Sequence, residues 1–299
     1  DQPLLFDPAV VRGFTDAHAL LHDPGVDLVS ICTHTDTHVS LAMAALEAGK
    51  HVLLEKPVAL SVAEVRRVAD AARASGRVCM PAMCMRFWPG WSWLKDRMVD
   101  GSLGSVKSAT FQRLGSAPDW GTDFYGDTSR SGGALMDLHI HDTDFICWLF
   151  GGGGTVGGAG VRGVVSRGGL AHGTTLYDVG PQGGSGIRPH VMAEWGQDHH
   201  PGFGFRMRFV VVFDHATADF DLARTPALLL HPDGIELGER ISGVVTESVF
   251  QGDTVQISLT ANNIPLSFKL DSRRASSYPR PGNPIQLAIN PAYIIPLKP

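Results

Sequence analysis

The feature that most constrains this chain is the alternation of pattern between Val26 and Met83. Three short apolar runs, Val26–Thr33 (VDLVSICT), Lys50–Leu54 (KHVLL) and Arg77–Met83 (RVCMPAM), flank two stretches of helical spacing. In the first stretch, Thr37–Ala48, the residues Val39, Leu41, Ala42, Ala45 and Leu46 recur at helical intervals, and Gly49 supplies a stop. The second opens at Ser61 with Glu64 three residues on, the spacing of a capping box, and runs to Gly76. Strand, helix, strand, helix, strand with short loops predicts a parallel sheet built from right-handed crossovers. A β-branched apolar run such as VDLVSICT is expected to be buried on both faces.

From Ser105 the pattern changes. SVKSATFQRL alternates as a strand, a Gly-flanked helix follows, and long strands such as HVMAEWGQ and FRMRFVVVFDHATADFDL come next. This predicts an α+β part made of an open antiparallel sheet with a helix against it. In the last sixty or so residues VQISLT, IPLSFKL and IQLAIN each alternate with period two, with turns at Ala261–Asn263 and Pro281–Asn283. Three such strands without a helix predict a small β-barrel or sandwich. The expected domains are 1–104, a partial Rossmann-type α/β sheet; 105–235, the α+β sheet; and 236–299, an OB-like β-barrel tail.

Composition narrows the function classes. Hydrophobic residues make up 43% of the 299 and charged residues 18%, enough to build packed cores. A net charge of −5 gives no general attraction to nucleic acid or anionic membranes. No apolar run is long enough to span a bilayer and no signal peptide opens the chain, so a cytoplasmic protein without membrane insertion is expected. The cysteines Cys32, Cys79, Cys84 and Cys147 never form a CxxC pair and read as reduced packing residues.

Two clusters carry chemistry. Glu55-Lys56-Pro57 follows the strand HVLL directly, and ligands of parallel α/β sheets bind at the carboxyl ends of the strands. Pro57 biases Lys56 toward an extended conformation, and a lysine beside an apolar ring can exchange protons with a hydroxyl. The bland alternative is a solvated Glu–Lys pair at a strand end. The second cluster is GGALMDLHIHDTDFICWLFG, residues 132–151. On one continuous helix Asp137 and His141 stand at i and i+4, so the carboxylate would orient the imidazole and raise its pKa as an acid/base. The alternative is an ordinary acid-rich first helical turn. His139-x-His141-Asp142 also resembles the HxH metal pair of binuclear hydrolases, but on a helix the two histidines diverge and cannot share an ion. No metal is therefore expected at this motif. Gly158-Ala-Gly160-Val-Arg-Gly163 matches GxGxxG by letter, but a strand-like VVS follows where a helix should begin, so it is not read as a phosphate loop.

Taken together, AALEAGKHVLLEKP, the later GGALMDLHIHDTDFICWLFG and the strands of EWGQDHHPGFGFRMRFVVVFDHATADFD resemble the glucose-fructose oxidoreductase / inositol dehydrogenase (Gfo/Idh/MocA) family, over roughly residues 10–235. The resemblance implies a Rossmann domain holding NAD or NADP, an open antiparallel sheet, and hydride transfer from a sugar or cyclitol-like alcohol; long strands such as FRMRFVVVFDH favour homo-oligomerisation by face-to-face pairing of that sheet. It implies Lys56, Asp137 and His141 as catalytic residues, Lys56 and His141 handling the hydroxyl proton while Asp137 orients the imidazole. It also implies Thr33, His34, Thr35, His38, Glu55, Lys56 and Arg86 as cofactor contacts. His34 stands where the family usually has proline, and His139 where glycine is common.

Family members begin with strand–GxGxxG–helix, and no such unit precedes Val26. This implies an N-terminally truncated copy, or a chain that is not a working dehydrogenase and serves as a ligand-binding or assembly module. The segment GERISGVVTESVFQGDTVQISLT…PGNPIQLAINP resembles the TOBE domain that ends many ABC-transporter ATPase subunits, implying a small-ligand-binding barrel. A Walker A motif is absent from the sequence, which excludes an ATPase role for this chain.

Overall fold

In the computed structural model, the structure describes residues 7, 10–151, 156–166, 169–181, 186, 188–233, 240–251, 254–261, 264–271 and 279–288. The chain divides into two compact units, residues 1–231 and 232–299.

The first unit opens with a short helix α1 (Ala17–Leu21), capped by the Asp16 carboxylate. The alternating segment follows as β1 (Leu28–Ile31), α2 (Thr35–Glu47), β2 (His51–Leu54), α3 (Val62–Ser75) and β3 (Cys79–Pro81). The strands form a parallel sheet in the order β1-β2-β3, with Leu28 opposite His51 and Val52 opposite Cys79. Ser61 caps α3 by accepting from the Glu64 backbone N–H, and its hydroxyl bonds the Glu64 carboxylate at 2.8 Å. Gly76 ends α3 in the left-handed region at φ 65°, a conformation that glycine adopts without a Cβ penalty.

Val29 and Ile31 of β1, Val52 and Leu54 of β2, Ala42, Ala45 and Leu46 of α2 and Val68 of α3 form one buried cluster. The strand β1 alternates exposed and buried, with Leu28 and Ser30 on the exposed face. The expectation of a strand buried on both faces is therefore corrected. Among the described residues no strand pairs with the free edge of β1, and its Leu28 face is left open.

After a 3-10 turn at Cys84–Phe87 come α4 (Pro89–Asp100), β4 (Val106–Leu114) and the short helices α5 (Thr122–Tyr125), α6 (Thr128–Ser131) and α7 (Gly133–Asp137). They lead into α8 (His139–Phe150). The strands β5 (Val156–Ser166), β6 (Gly169–Val179), β7 (His190–Gly196), β8 (Arg206–Phe213), β9 (Ala216–Asp221) and β10 (Leu228–Pro232) complete a seven-stranded sheet in the order β10-β9-β8-β4-β7-β6-β5. The expected antiparallel pattern holds except at its centre, where β4 and β7 run parallel, Ala109 opposite Val191. The long path through α5–α8 and the β5–β6 hairpin makes this possible, because a parallel pair needs a crossover connection. The GxGxxG look-alike lies within β5, with Gly163 paired to Gly173 in a ladder.

Trp91, Phe111, Phe145 and Phe209 are fully buried between α4, α8 and the sheet, their rings meeting largely edge to face. Such pairs add to the burial of their apolar area.

The second unit consists of β11 (Arg240–Gln251), β12 (Thr254–Ala261), β13 (Ile264–Asp271) and β14 (Pro284–Ala288). They form an antiparallel sheet in the order β13-β12-β11-β14. Val245, Val255 and Ile257 are its buried centre, with Phe268 and Ile285 packed against them. The closure that would make this sheet a barrel, and the Ala261–Asn263 turn beyond Ala261, lie outside the described residues.

Candidate active site

The candidate site forms where the loop after β2 meets the end of α7. Lys56 leaves β2 and crosses to Asp137, its Nζ donating to the Asp137 carboxylate Oδ1 at 2.8 Å and to the Asp137 carbonyl at 2.9 Å. Both side chains are largely shielded, at 20% and 17% exposure, so Lys56 is not the solvated end of a Glu–Lys pair. Glu55 turns back on its neighbour, its carboxylate accepting from the Lys56 backbone N–H at 3.1 Å. The other Asp137 oxygen, Oδ2, accepts from Gln197 Nε2 at 2.6 Å, just beyond β7.

The lysine also explains why the segment 133–150 is not one helix. The Asp137 carbonyl that a continuous helix would offer to the His141 N–H accepts from Lys56 instead, and His141 N–H bonds the Leu138 carbonyl at 3.2 Å. The helix divides at Leu138. Asp137 is thereby bonded to Lys56 and Gln197 rather than acting as the orienting partner of His141.

A second correction concerns the imidazole. Burial, with the charges of Arg113 and Lys56 adding to it, lowers the His141 pKa from 6.5 to about 3, against weaker opposite contributions from Asp142 and Asp137. Desolvation penalises the imidazolium more than the nearby carboxylates favour it. His141 is therefore neutral near pH 7, and its Nδ1 is buried without a hydrogen-bond partner. Tyr125, whose phenol is pushed up by burial and by the Asp137 charge, lies within electrostatic reach of the same carboxylate.

The remaining family-implied residues fall into different roles. Thr33 and His34 are exposed in the loop after β1, where the Thr37 hydroxyl donates to Thr33 Oγ1 at 2.6 Å. The His34 ring stacks on Phe124 with centroids 4.3 Å apart. Thr35 is buried at the start of α2. His38 is buried too, its Nδ1 2.8 Å from the Pro57 carbonyl and its Nε2 3.0 Å from the Thr33 carbonyl, so it clamps the loops after β1 and β2 together. Arg86 is held by a two-pronged ion pair to Asp144, at 2.9 and 2.5 Å, which ties the turn after β3 to α8.

Behind the site lies a buried polar network. Asp142 accepts from Arg113 Nε at 3.1 Å and Nη2 at 2.9 Å, and both side chains are almost fully buried. His139 stacks on Trp195 at 5.2 Å, and its Nε2 lies 2.8 Å from the Tyr177 hydroxyl, which also meets Thr143 at 2.8 Å. His139 and His141 thus belong to different environments, as their offset around a helix requires. Gln197, Tyr125 and Arg113 are the residues that sequence reasoning missed. Only Gln197, a polar residue closing the alternation of HVMAEWGQ, carried a local signal.

Comparison with known proteins agrees with this architecture. Residues 6–83 match the family described as "Oxidoreductase family, NAD-binding Rossmann fold", and residues 91–166 match its "GFO/IDH/MocA C-terminal domain". Residues 228–297 match the TOBE domain. The chain thus resembles the Gfo/Idh/MocA oxidoreductases over residues 6–83 and 91–166, and a TOBE domain over residues 228–297. More particularly, it is 32% identical over 149 residues to trans-1,2-dihydrobenzene-1,2-diol dehydrogenase of Macaca fuscata fuscata, covering 48% of this chain and 42% of that protein. It is 31% identical over 142 residues to myo-inositol 2-dehydrogenase of Thermotoga maritima, covering 48% and 41%. The chain thus spans about two fifths of the length of these relatives. The crystal structure of an inositol dehydrogenase homolog from Azotobacter vinelandii, complexed with NAD+, shares the fold. Its TM-score is 0.63 at 19% identity, over 74% of this chain and 60% of that one.

Proposed function

We propose that the chain works as an NAD(P)-dependent oxidoreductase on a sugar or cyclitol-like alcohol. The observation that carries this reading is the Lys56–Asp137 contact, which brings a strand-end ammonium into one electrostatic cluster with a neutral imidazole. The relatives named as inositol and diol dehydrogenases support the substrate class. The loops after β1 and β2, held together by His38, suit the nicotinamide end of such a cofactor, with Thr33, His34 and Glu55 available to it. A pyrophosphate-binding GxGxxG turn between strand and helix is not found in residues 1–299.

When bound, the dinucleotide supplies a hydride acceptor for the alcohol carbon. The chain's own residues manage the oxygen. Lys56 donates a hydrogen bond to the hydroxyl oxygen and stabilises it as its proton leaves. His141, uncharged near neutral pH, would be the ring available to receive that proton as the alcohol carbon becomes a carbonyl. Asp137, anchored by Gln197, holds the Lys56 ammonium in place. The half-buried second face of the seven-stranded sheet, exemplified by Gln112 and Val210, supports self-association through that sheet.

Replacing Lys56 with Met is expected to abolish turnover of polyol substrates while far-UV circular dichroism stays unchanged; undiminished turnover in the variant would end the assignment. A fluorescence titration with NADH separates this reading from a non-catalytic module. Micromolar binding supports the enzyme, and absence of binding supports a ligand-binding or assembly role.

A further inference from the structure

Near the start of β6 and just beyond β7, three side chains from two separate segments converge. His172 of β6 places Nδ1 2.9 Å from Asp198 Oδ1, and His199 places Nδ1 3.4 Å from the same oxygen. One ligand atom from each of His172, Asp198 and His199 lies within 4.8 Å of the others. We propose that these three residues hold a divalent transition-metal ion, with zinc as the best chemical match.

The hydrogen-bond arithmetic around His172 points to a cation. Its Nε2 faces Glu194 Oε1 at 3.4 Å while its Nδ1 faces Asp198, so both ring nitrogens meet carboxylate oxygens. A neutral imidazole has one N–H and can satisfy only one of them. A metal ion on Nδ1 with the proton on Nε2 satisfies both. Glu194 then plays the part of the outer carboxylate that receives the second N–H of a ligating histidine and fixes its ring. Glu194 is itself steadied, its Oε2 accepting from Gln112 Nε2 at 2.8 Å.

His199 gives the second, independent sign. Its Nδ1 is buried and makes no hydrogen bond, although it aims at the oxygen that His172 already faces. A second proton on His172 would settle that ring alone and leave His199 without a partner. A metal ion answers both at once. The ring of His199 is held by stacking on Phe203, with centroids 4.3 Å apart.

Geometry and backbone fit the same reading. With zinc–nitrogen and zinc–oxygen bonds near 2.0–2.2 Å, tetrahedral ligand atoms stand roughly 3.3 Å apart. The observed 2.9 and 3.4 Å separations bracket that edge. The close approach needs a residue without a side chain at position 196. A Cβ on Gly196 would sit 2.6 Å from His172 Nδ1 and 3.1 Å from Asp198 Oδ1. Two imidazoles and one carboxylate are a borderline-soft donor set that favours zinc over magnesium or calcium, and three protein ligands leave a fourth position for water or a ligand oxygen. The intervening residue is Gln197, which holds Asp137, so an ion here also braces the segment that positions the Lys56 partner. The site does not depend on the oxidoreductase reading, because its test reads the metal alone.

The test is calorimetric titration of the chelator-treated full chain with zinc chloride, paired with the visible spectrum of the cobalt-loaded chain. One zinc ion per chain is expected, with cobalt d–d bands and no thiolate charge-transfer band. His172→Ala and His199→Ala should each weaken binding by at least the ~10–100-fold typical of metal-site substitutions, and Glu194→Gln by about 10-fold. His200→Ala, an exposed neighbour, should leave it unchanged. The wild-type cobalt spectrum needs no variant and stands even where a substitution impairs folding. Absence of stoichiometric binding, a thiolate band, or full affinity in the His172→Ala/His199→Ala double variant would overturn the assignment.

Discussion

At the scale of single residues, His141 has the most distinctive electrostatics of the described chain. Its folded pKa of about 3 lies below the 6.5 of an unfolded histidine. Between these values the unfolded chain binds one more proton than the folded chain, so stability rises with pH across this window. The contribution is complete above about pH 6.5 and is lost as pH falls toward 3. His141→Asn keeps a polar side chain of similar size and removes this titration. Urea unfolding at pH 7 and pH 4.5 should show the wild type losing more stability than the variant, the difference on the order of a few kcal/mol. Equal losses in both proteins would mean that His141 is not buried in the neutral form.

At the scale of elements, α8 and β4 are joined by the Arg113–Asp142 ion pair, at 4% and 0% side-chain exposure, beside the Phe111–Phe145 ring contact. Burial opposes the Asp142 charge, but the Arg113 guanidinium, with the His139 ring nitrogen 3.6 Å away, more than offsets it and holds the carboxyl below its ordinary range. Removing the carboxylate strands a guanidinium beneath Trp91. Asp142→Ala is therefore expected to cost about 3–5 kcal/mol in chemical denaturation, the range for breaking one partner of a buried pair. Replacing both Arg113 and Asp142 with apolar residues should cost less than this single change. A second element-scale constraint is the packing of α4 on β9. A Cβ on Gly90 would lie 2.7 Å from the Phe220 ring, which is boxed in by Trp91 and Phe209. Gly90→Ala should destabilise by about 1–3 kcal/mol through overpacking, read from the urea midpoint at unchanged slope.

At the scale of the whole molecule, the two compact units differ in the size of their cores. The larger contains both the parallel-sheet cluster and the aromatic centre around Trp91, whereas the described core of the smaller is built around Val245, Val255 and Ile257. Apolar burial scales with the surface removed from water, and domains below roughly 70–80 residues rarely gain more than a few kcal/mol from one core. Residues 1–231, expressed alone, should thus unfold in a cooperative thermal transition by circular dichroism. The segment 232–299 alone should melt at a lower temperature. A segment 232–299 that outlasts the larger unit would contradict this ranking.

The order of elements from Val26 to Met83 was legible in the sequence because it rests on local physics. Alternating apolar spacing, the Ser61 cap and the Gly76 stop each act within a turn or two of chain. Lys56 and Asp137 were legible as residue types in recognisable motifs. Their contact was not, since it joins positions 81 residues apart and depends on how α7 approaches the loop after β2. The division of the 133–150 helix follows from that contact, because a lysine from elsewhere takes the carbonyl that local helix geometry would use. The neutral state of His141 was likewise decided by tertiary burial, which reverses the sign that a neighbouring carboxylate alone would give. The parallel β4–β7 pair and the convergence of His172 with Asp198 and His199 belong to the same class. Periodicity specifies which face a strand buries, but only packing in three dimensions specifies which strand it meets.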